Sequence, residues 1–145
     1  MKELWKVIYD TLVADDVLVD DLLGAANIGQ ARQPKARALP CVVYSQWSNV
    51  YEPVDQASGN RDPQQITVLF SCVAQDEGGL SYAGSTLLYE IAERLKALLH
   101  GADLGWAGLH CYSALYDDFE TDADYDEDSH EWRLDLRFRF VVRAK

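Results

Sequence analysis

The residues with types and spacing suited to chemistry lie mostly in two stretches. Asp122, Asp124 and Asp126 have the D-x-D-x-D opening of a calcium-binding EF-hand loop, and hard cations favour such clustered carboxylates. The pattern then breaks. Glu127 stands where the loop needs a glycine, and Arg133 where the closing glutamate belongs. The acids read instead as a solvated block of like charge. The second stretch, Gly79-Leu80-Ser81-Tyr82-Ala83, resembles the G-x-S-x-G nucleophile elbow between a strand and a helix. Ala83 replaces the second glycine, however, and the chain beyond it lacks the repeated strand–helix units of a hydrolase sheet. Ser81 reads better as a helix cap.

The remaining candidates are sparse. His100, His110 and His130 are scattered, with no H-x-x-H or H-E-x-x-H spacing, and no glycine-rich phosphate loop occurs. Cys41, Cys72 and Cys111 are odd in number and far apart, with no C-x-x-C pair, which excludes a zinc ribbon or a thioredoxin motif. They read as reduced, semi-buried residues of a cytosolic protein. The expectation is no catalytic centre, no metal site and no cofactor. The alternative held against it is a small metal-binding or hydrolytic enzyme that uses the acidic stretch or Ser81.

Charge is the more informative feature. The net charge is −11, yet nine of the acids (Asp117, Asp118, Glu120, Asp122, Asp124, Asp126, Glu127, Asp128 and Glu131) fall in one stretch, so the rest is close to neutral. That balance argues against a dedicated nucleic-acid binder, which would show a basic footprint. Arg32, Lys35 and Arg37 are the only charges in the loop or arm expected over residues 25–40, and loops of that length are uncommon without a function. A third group follows the acids. Arg133, Asp135, Arg137 and Arg139 alternate with Trp132, Leu134, Leu136, Phe138 and Phe140. A strand sends successive side chains to opposite faces, so residues 131–143 have one apolar and one charged face. Arginine favours bidentate ion pairs across contacts, so the charged face is a candidate subunit interface.

The elements that position these groups follow from periodicity. At 145 residues, with 48% hydrophobic content, the chain is long enough for one domain with its own core. Leu4, Trp5, Ile8, Leu12 and Val13 predict an amphipathic helix over 2–14. Asp15 or Asp16 caps a second short helix over 17–23, stopped by Gly24. Strands are expected over 41–51, 65–74, 107–119 and 131–143. The main helix is expected over 82–99, with Leu87, Leu88, Ile91, Leu95 and Leu98 inward and a Glu90–Arg94 pair outward. The acidic residues 117–131 form a loop between the last two strands. The expected fold is α+β, a roughly four-stranded, mainly antiparallel sheet with helices packed on one face, in the order α-α-β-β-α-β-β. The start lacks a signal peptide, and no apolar run approaches the roughly 18 residues needed to cross a bilayer, so a cytoplasmic origin without a membrane partner is expected.

Taken in order, these pieces resemble the tail-completion, or tail-terminator, proteins of long-tailed bacteriophages and related prophage particles. The resemblance lies in Leu12-Val13-Ala14-Asp15, Val17-Leu18 and Leu22-Leu23-Gly24, in Ile28, and in Leu39-Pro40 leading into the first strand. It continues in Ala92-Glu93-Arg94-Leu95 and in the closing Arg137-Phe138-Arg139-Phe140-Val141-Val142. It implies a homo-oligomeric ring, typically a hexamer, that caps the tail tube and joins tail to head. The implied partners are further copies of the chain, the tail tube protein and the head–tail connector proteins, with DNA only as passing cargo. The implied location is the tail or neck of a virion assembled in the bacterial cytoplasm. Another neck or connector component is the alternative of the same kind. The interface residues expected are Arg32, Lys35, Arg37, Arg133, Asp135, Arg137 and Arg139. Asp117, Asp118, Glu120, Asp122, Asp124, Asp126, Glu127 and Asp128 are expected to line or rim the lumen, where like charge would keep DNA sliding.

Overall fold

The computed structural model of the chain describes residues 2–24, 27–30, 38–51, 63–75, 83–105 and 108–144, without the side chains of 49–51 and 144. Its centre is the last strand, β6 (Glu131–Ala144). Leu134, Leu136, Phe138, Phe140 and Val142 are all fully buried, while Arg133, Asp135, Arg137 and Arg139 alternate onto the other face. β6 lies between β3 (Gln64–Gln75) and β4 (Leu109–Glu120), antiparallel to both. β3 pairs antiparallel with β2 (Cys41–Tyr51). Matched register carries the apolar face across the strands: Val42, Cys72 and Leu134 stand in one row, and Tyr44, Phe70 and Leu136 in the next. The Phe70 and Phe138 rings meet edge-on at 5.3 Å, a geometry worth about 0.5–1.5 kcal/mol beyond burial.

Both long helices and the turn between them cover that face. α1 (Lys2–Val13) contributes Leu4, Val7, Ile8 and Leu12, and Tyr44 donates a hydrogen bond from its hydroxyl to the Trp5 carbonyl at 3.2 Å. α2 (Ala83–Leu99) buries Leu88, Ile91, Ala92, Leu95 and Leu99 over β3 and β6. Its inward stripe is therefore rotated from the expected one: Ala92 and Leu99 are core, and Leu87 and Leu98 only half-buried.

Three expectations are corrected. First, the sheet has six strands among the described residues. Ile28–Gln30, inside the expected arm, forms β1, parallel to β2 at the sheet edge. Asp124–Asp126, inside the expected acidic loop, forms β5, antiparallel to β6. The order is helix, turn, β1-β2-β3, α2, β4-β5-β6 rather than α-α-β-β-α-β-β. Second, Val17–Leu22 winds as a π-helical turn. Third, β4 does not alternate evenly. Cys111 faces Val142 and Ser113 faces Val141, so Tyr112 is an extra residue and the parity flips beyond it. Ala114 and Tyr116 turn toward the core, and Leu115 is exposed.

Gly84 sets how closely α2 approaches the sheet. A Cβ there would lie 2.6 Å from Trp132 Cδ1, a contact no ring can relieve without moving. Gly84→Ala should therefore lower stability by about 1–3 kcal/mol, because overpacking outweighs the helix-propensity gain of at most about 1 kcal/mol. Urea melts of wild type, G84A and G84A/W132L check this. G84A should be the least stable and the double variant should recover part of the loss, whereas a G84A as stable as wild type refutes the contact.

Candidate interaction surfaces

The face of the sheet opposite the helices is built around Arg137. Two backbone irregularities aim groups at it. On β2, Trp47 is the extra residue between the Gln46–Val68 and Ser48–Thr67 pairs, and it stands 56% exposed. On β4, three residues (Asp117, Asp118 and Phe119) fill the space opposite Arg137, between the Tyr116–Phe138 and Glu120–Leu136 pairs. Asp118 takes a φ of 46°, the left-handed conformation that asparagine and aspartate tolerate best among non-glycine residues. The Arg137 guanidinium consequently lies 4.1 Å from the Phe119 ring centre and 5.5 Å from that of Trp47. Its Nε is 3.6 Å from Asp117 Oδ2.

The other arginines extend the row. Arg139 reaches Asp117 at 4.0 Å, Arg133 pairs with Asp135 at 3.1 Å and donates to Ser71 Oγ at 3.3 Å, and Arg143 lies over the Tyr112 ring at 5.9 Å. The face thus holds four guanidinium groups against the carboxylates of Asp117 and Asp135. Arg133, Asp135, Arg137 and Arg139 are brought together as the alternation predicts. Arg143 and the aromatic partners were missed. Arg143 continues the same alternation, but nothing in the sequence marks the bulges that deliver Trp47 and Phe119. Arg32, Lys35 and Arg37 lie outside the described residues, as does Ser81.

The acidic stretch is not one loop. Asp117 belongs to the arginine face. Glu120 lies on the opposite, helix-covered side and pairs with Lys96 at 2.9 Å. Burial disfavours the Lys96 charge, but hydrogen bonds to Glu120 and Glu93 outweigh it and raise the pKa above the ordinary lysine value. Thr121 ties the strand end to β6: its N–H donates to the Asp135 carbonyl, and its hydroxyl accepts from the Asp135 N–H, both at 2.9 Å. On β5, Tyr125 packs on Trp132 at 5.1 Å, so Asp124 and Asp126 project to the arginine side, with Asp124 in register with Arg133. Asp122, Asp124, Glu127 and Asp128 are exposed and make no ion pair among the described residues. No group of three or more metal-ligating side chains converges among those residues.

The histidines and cysteines serve locally. His100 Nδ1 accepts from the Tyr116 N–H at 3.0 Å, His110 stacks on Tyr112, and His130 bonds Tyr125. None of the three cysteines forms a disulfide, and burial pushes the Cys72 thiol far above, and the Cys111 thiol somewhat above, the usual range, which leaves those two little reactive thiolate.

A second surface lies on the helix layer. α2 and the π-helical turn enclose an apolar groove of about 620 Å³, lined by Val17, Leu22, Tyr89 and Ala97 with Glu90 and Glu93. Val17 is 40% and Tyr89 42% exposed. Asp15 fixes the groove's width. Its carboxylate accepts from the Leu18 N–H at 2.9 Å and from Arg94 Nε at 2.8 Å, with a further bond from Arg94 Nη2. The expected Glu90–Arg94 pair is therefore replaced by Asp15–Arg94, because Arg94 faces the turn rather than solvent.

No family model matches the chain, and no curated protein matches it. A solved structure does: a chain in the virion of a native gene transfer agent particle superposes with a TM-score of 0.68, over 98% of this chain and 95% of that one, at 22% sequence identity. At that identity the likeness establishes a shared fold over nearly the full length of both chains.

The hydrogen bond from Arg94 holds the Asp15 carboxyl below its ordinary value, against the opposing effect of burial and with help from the Leu18 N–H. A native pKa below the unfolded one gives stability that is present above about pH 4 and lost as pH falls through the native value. Asp15→Ala should cost about 1–2 kcal/mol at pH 7. The gap to wild type should shrink below about pH 4. Urea melts at pH 7 and pH 2.5 check this, and a gap of equal size at both would rule out the carboxylate charge as its source.

Proposed function

We propose that this chain is a structural virion protein of a phage-like particle, a ring-forming tail-terminator subunit that caps the tail tube and joins tail to head. The observation that carries the reading is the full-length fold likeness to a chain of a gene transfer agent virion. The order of sequence features, from Leu12-Val13-Ala14-Asp15 to Arg137-Phe138-Arg139-Phe140, narrows it from virion component to terminator.

The role makes and breaks no bond. It needs copies that contact one another through distinct patches, since a heterologous contact closes into a ring when the rotation permits. Two surfaces suit that need: the arginine face around Arg137 and the acid-rimmed groove on the helix layer. The exposed carboxylates Asp122, Asp124, Glu127 and Asp128 suit a lumen or rim past which DNA slides, because they repel phosphate. The ring number, six, comes from the family resemblance.

Two measurements test the reading. Purified protein mixed with tail tubes should appear by negative-stain electron microscopy as a sixfold ring at one tube end. Particles made without this chain should carry tubes of irregular length and no attached heads. Normal headed tails in its absence would sink the terminator role. Tubes of normal length that fail to join heads would move the protein to another neck position.

A further inference from the structure

The groove between α2 and the π-helical turn has an apolar floor and an acidic surround. Glu90 and Glu93 line it, and Asp16, Asp20 and Asp21 stand exposed on the turn that forms its other wall. Glu93 shares Lys96 with Glu120, while Asp16, Asp20, Asp21 and Glu90 make no ion pair among the described residues. The cation lining the groove, Arg94, is held by Asp15. An occupant must therefore bring positive charge and enough apolar surface to cover Val17, Leu22 and Tyr89.

This chain contains a segment that brings the charge, with Pro34 and the aliphatic stems of its Arg and Lys side chains as its apolar surface. Residues 31–37 read Ala-Arg-Gln-Pro-Lys-Ala-Arg, and no Asp or Glu occurs between Asp21 and Glu52. Three of the chain's 13 basic residues fall within these seven positions. The segment follows β1, which ends at Gln30 and is an edge strand of the sheet.

Within one copy, α1 contacts β1 as well as α2 and the π-helical turn, so it lies between Gln30 and that copy's own groove.

We propose that the basic segment around Arg32, Lys35 and Arg37 of one copy docks in the acid-rimmed groove of the next, between Tyr89 and Val17. The inference rests on the ring reading above and supplies its subunit contact. The contact is heterologous, since segment and groove are different patches of one chain.

Charge reversal tests it. One variant carries R32E, K35E and R37E, and the other carries D20K, D21K and E90K. Asp20, Asp21 and Glu90 are exposed, and circular dichroism melts check that both variants fold. Each variant alone should raise the concentration needed for assembly by roughly tenfold or more, since like charges across a contact repel. An equimolar mixture should recover ring formation by native mass spectrometry, because alternating copies then present only complementary contacts. Raised salt should weaken the wild-type ring. If each variant assembles as the wild type does, the inference is overturned and the ring reading survives. If the variants form rings that no longer bind tubes, the groove belongs to the tube protein and the inference is equally overturned. If wild-type protein stays monomeric even with tubes, the ring reading fails and takes the inference with it.

Discussion

Strand β6 has a strand on each side and a helix across one face, so its alternation cannot slip by one residue. Such a slip would carry Arg133, Arg137, Arg139 and Arg143 into the space now filled by Leu134, Leu136, Phe138 and Phe140. Burying an unpaired charge costs several kcal/mol per ion, far more than any local preference of the neighbouring strands recovers. Register along β6 therefore fixes register on β3 and β4. It also decides which face α2 covers and which face stays charged.

That constraint made part of the structure readable in advance. The β6 face, the long β2, β3 and β4 strands and both helices follow from periods of two and of 3.6 residues. What the periods do not carry is irregularity. β1 and β5 span three residues each, too few for a pattern to register. The bulge at Tyr112 inverts the second half of β4, so an even count places Leu115 inside and Ala114 outside, the reverse of the observed arrangement. The π-helical turn is tied to α2 by the Asp15–Arg94 bond, which joins residues 79 positions apart. The same limit applies to the surfaces. The arginine row was legible because it shares one strand. Its aromatic partners arrive from β2 and β4 through bulges, and the groove on the helix layer is made by two elements brought together only by folding.

The acidic stretch shows how a run of like charge divides once the chain folds. Its first part enters the sheet, where the parity of β4 sends Asp117 to the arginines and Glu120 to Lys96. Its middle pairs with β6 and lays Asp124 beside Arg133. Asp118, Asp122, Asp124, Glu127 and Asp128 stay exposed without an ion pair among the described residues. Charge that looks uniform along the chain is thus sorted by face, and sorted charge is what a contact between subunits can use.

The sorting bears on how copies meet in the proposed ring. The helix layer presents Asp16, Asp20, Asp21 and Glu90, and the opposite face presents Arg133, Arg137, Arg139 and Arg143 beside the carboxylates of Asp117, Asp124, Asp126 and Asp135. An isologous pairing through the helix layer sets like charge against like and is disfavoured, while unlike patches attract. At a net charge of −11, free copies also repel one another over distances up to the Debye length, about 8 Å at physiological salt. Short-range complementarity must overcome that repulsion, and it does so most readily when something holds the copies close. A tube end is such a template. In the proposed ring, a tube end that holds the copies close would lower the concentration at which they assemble.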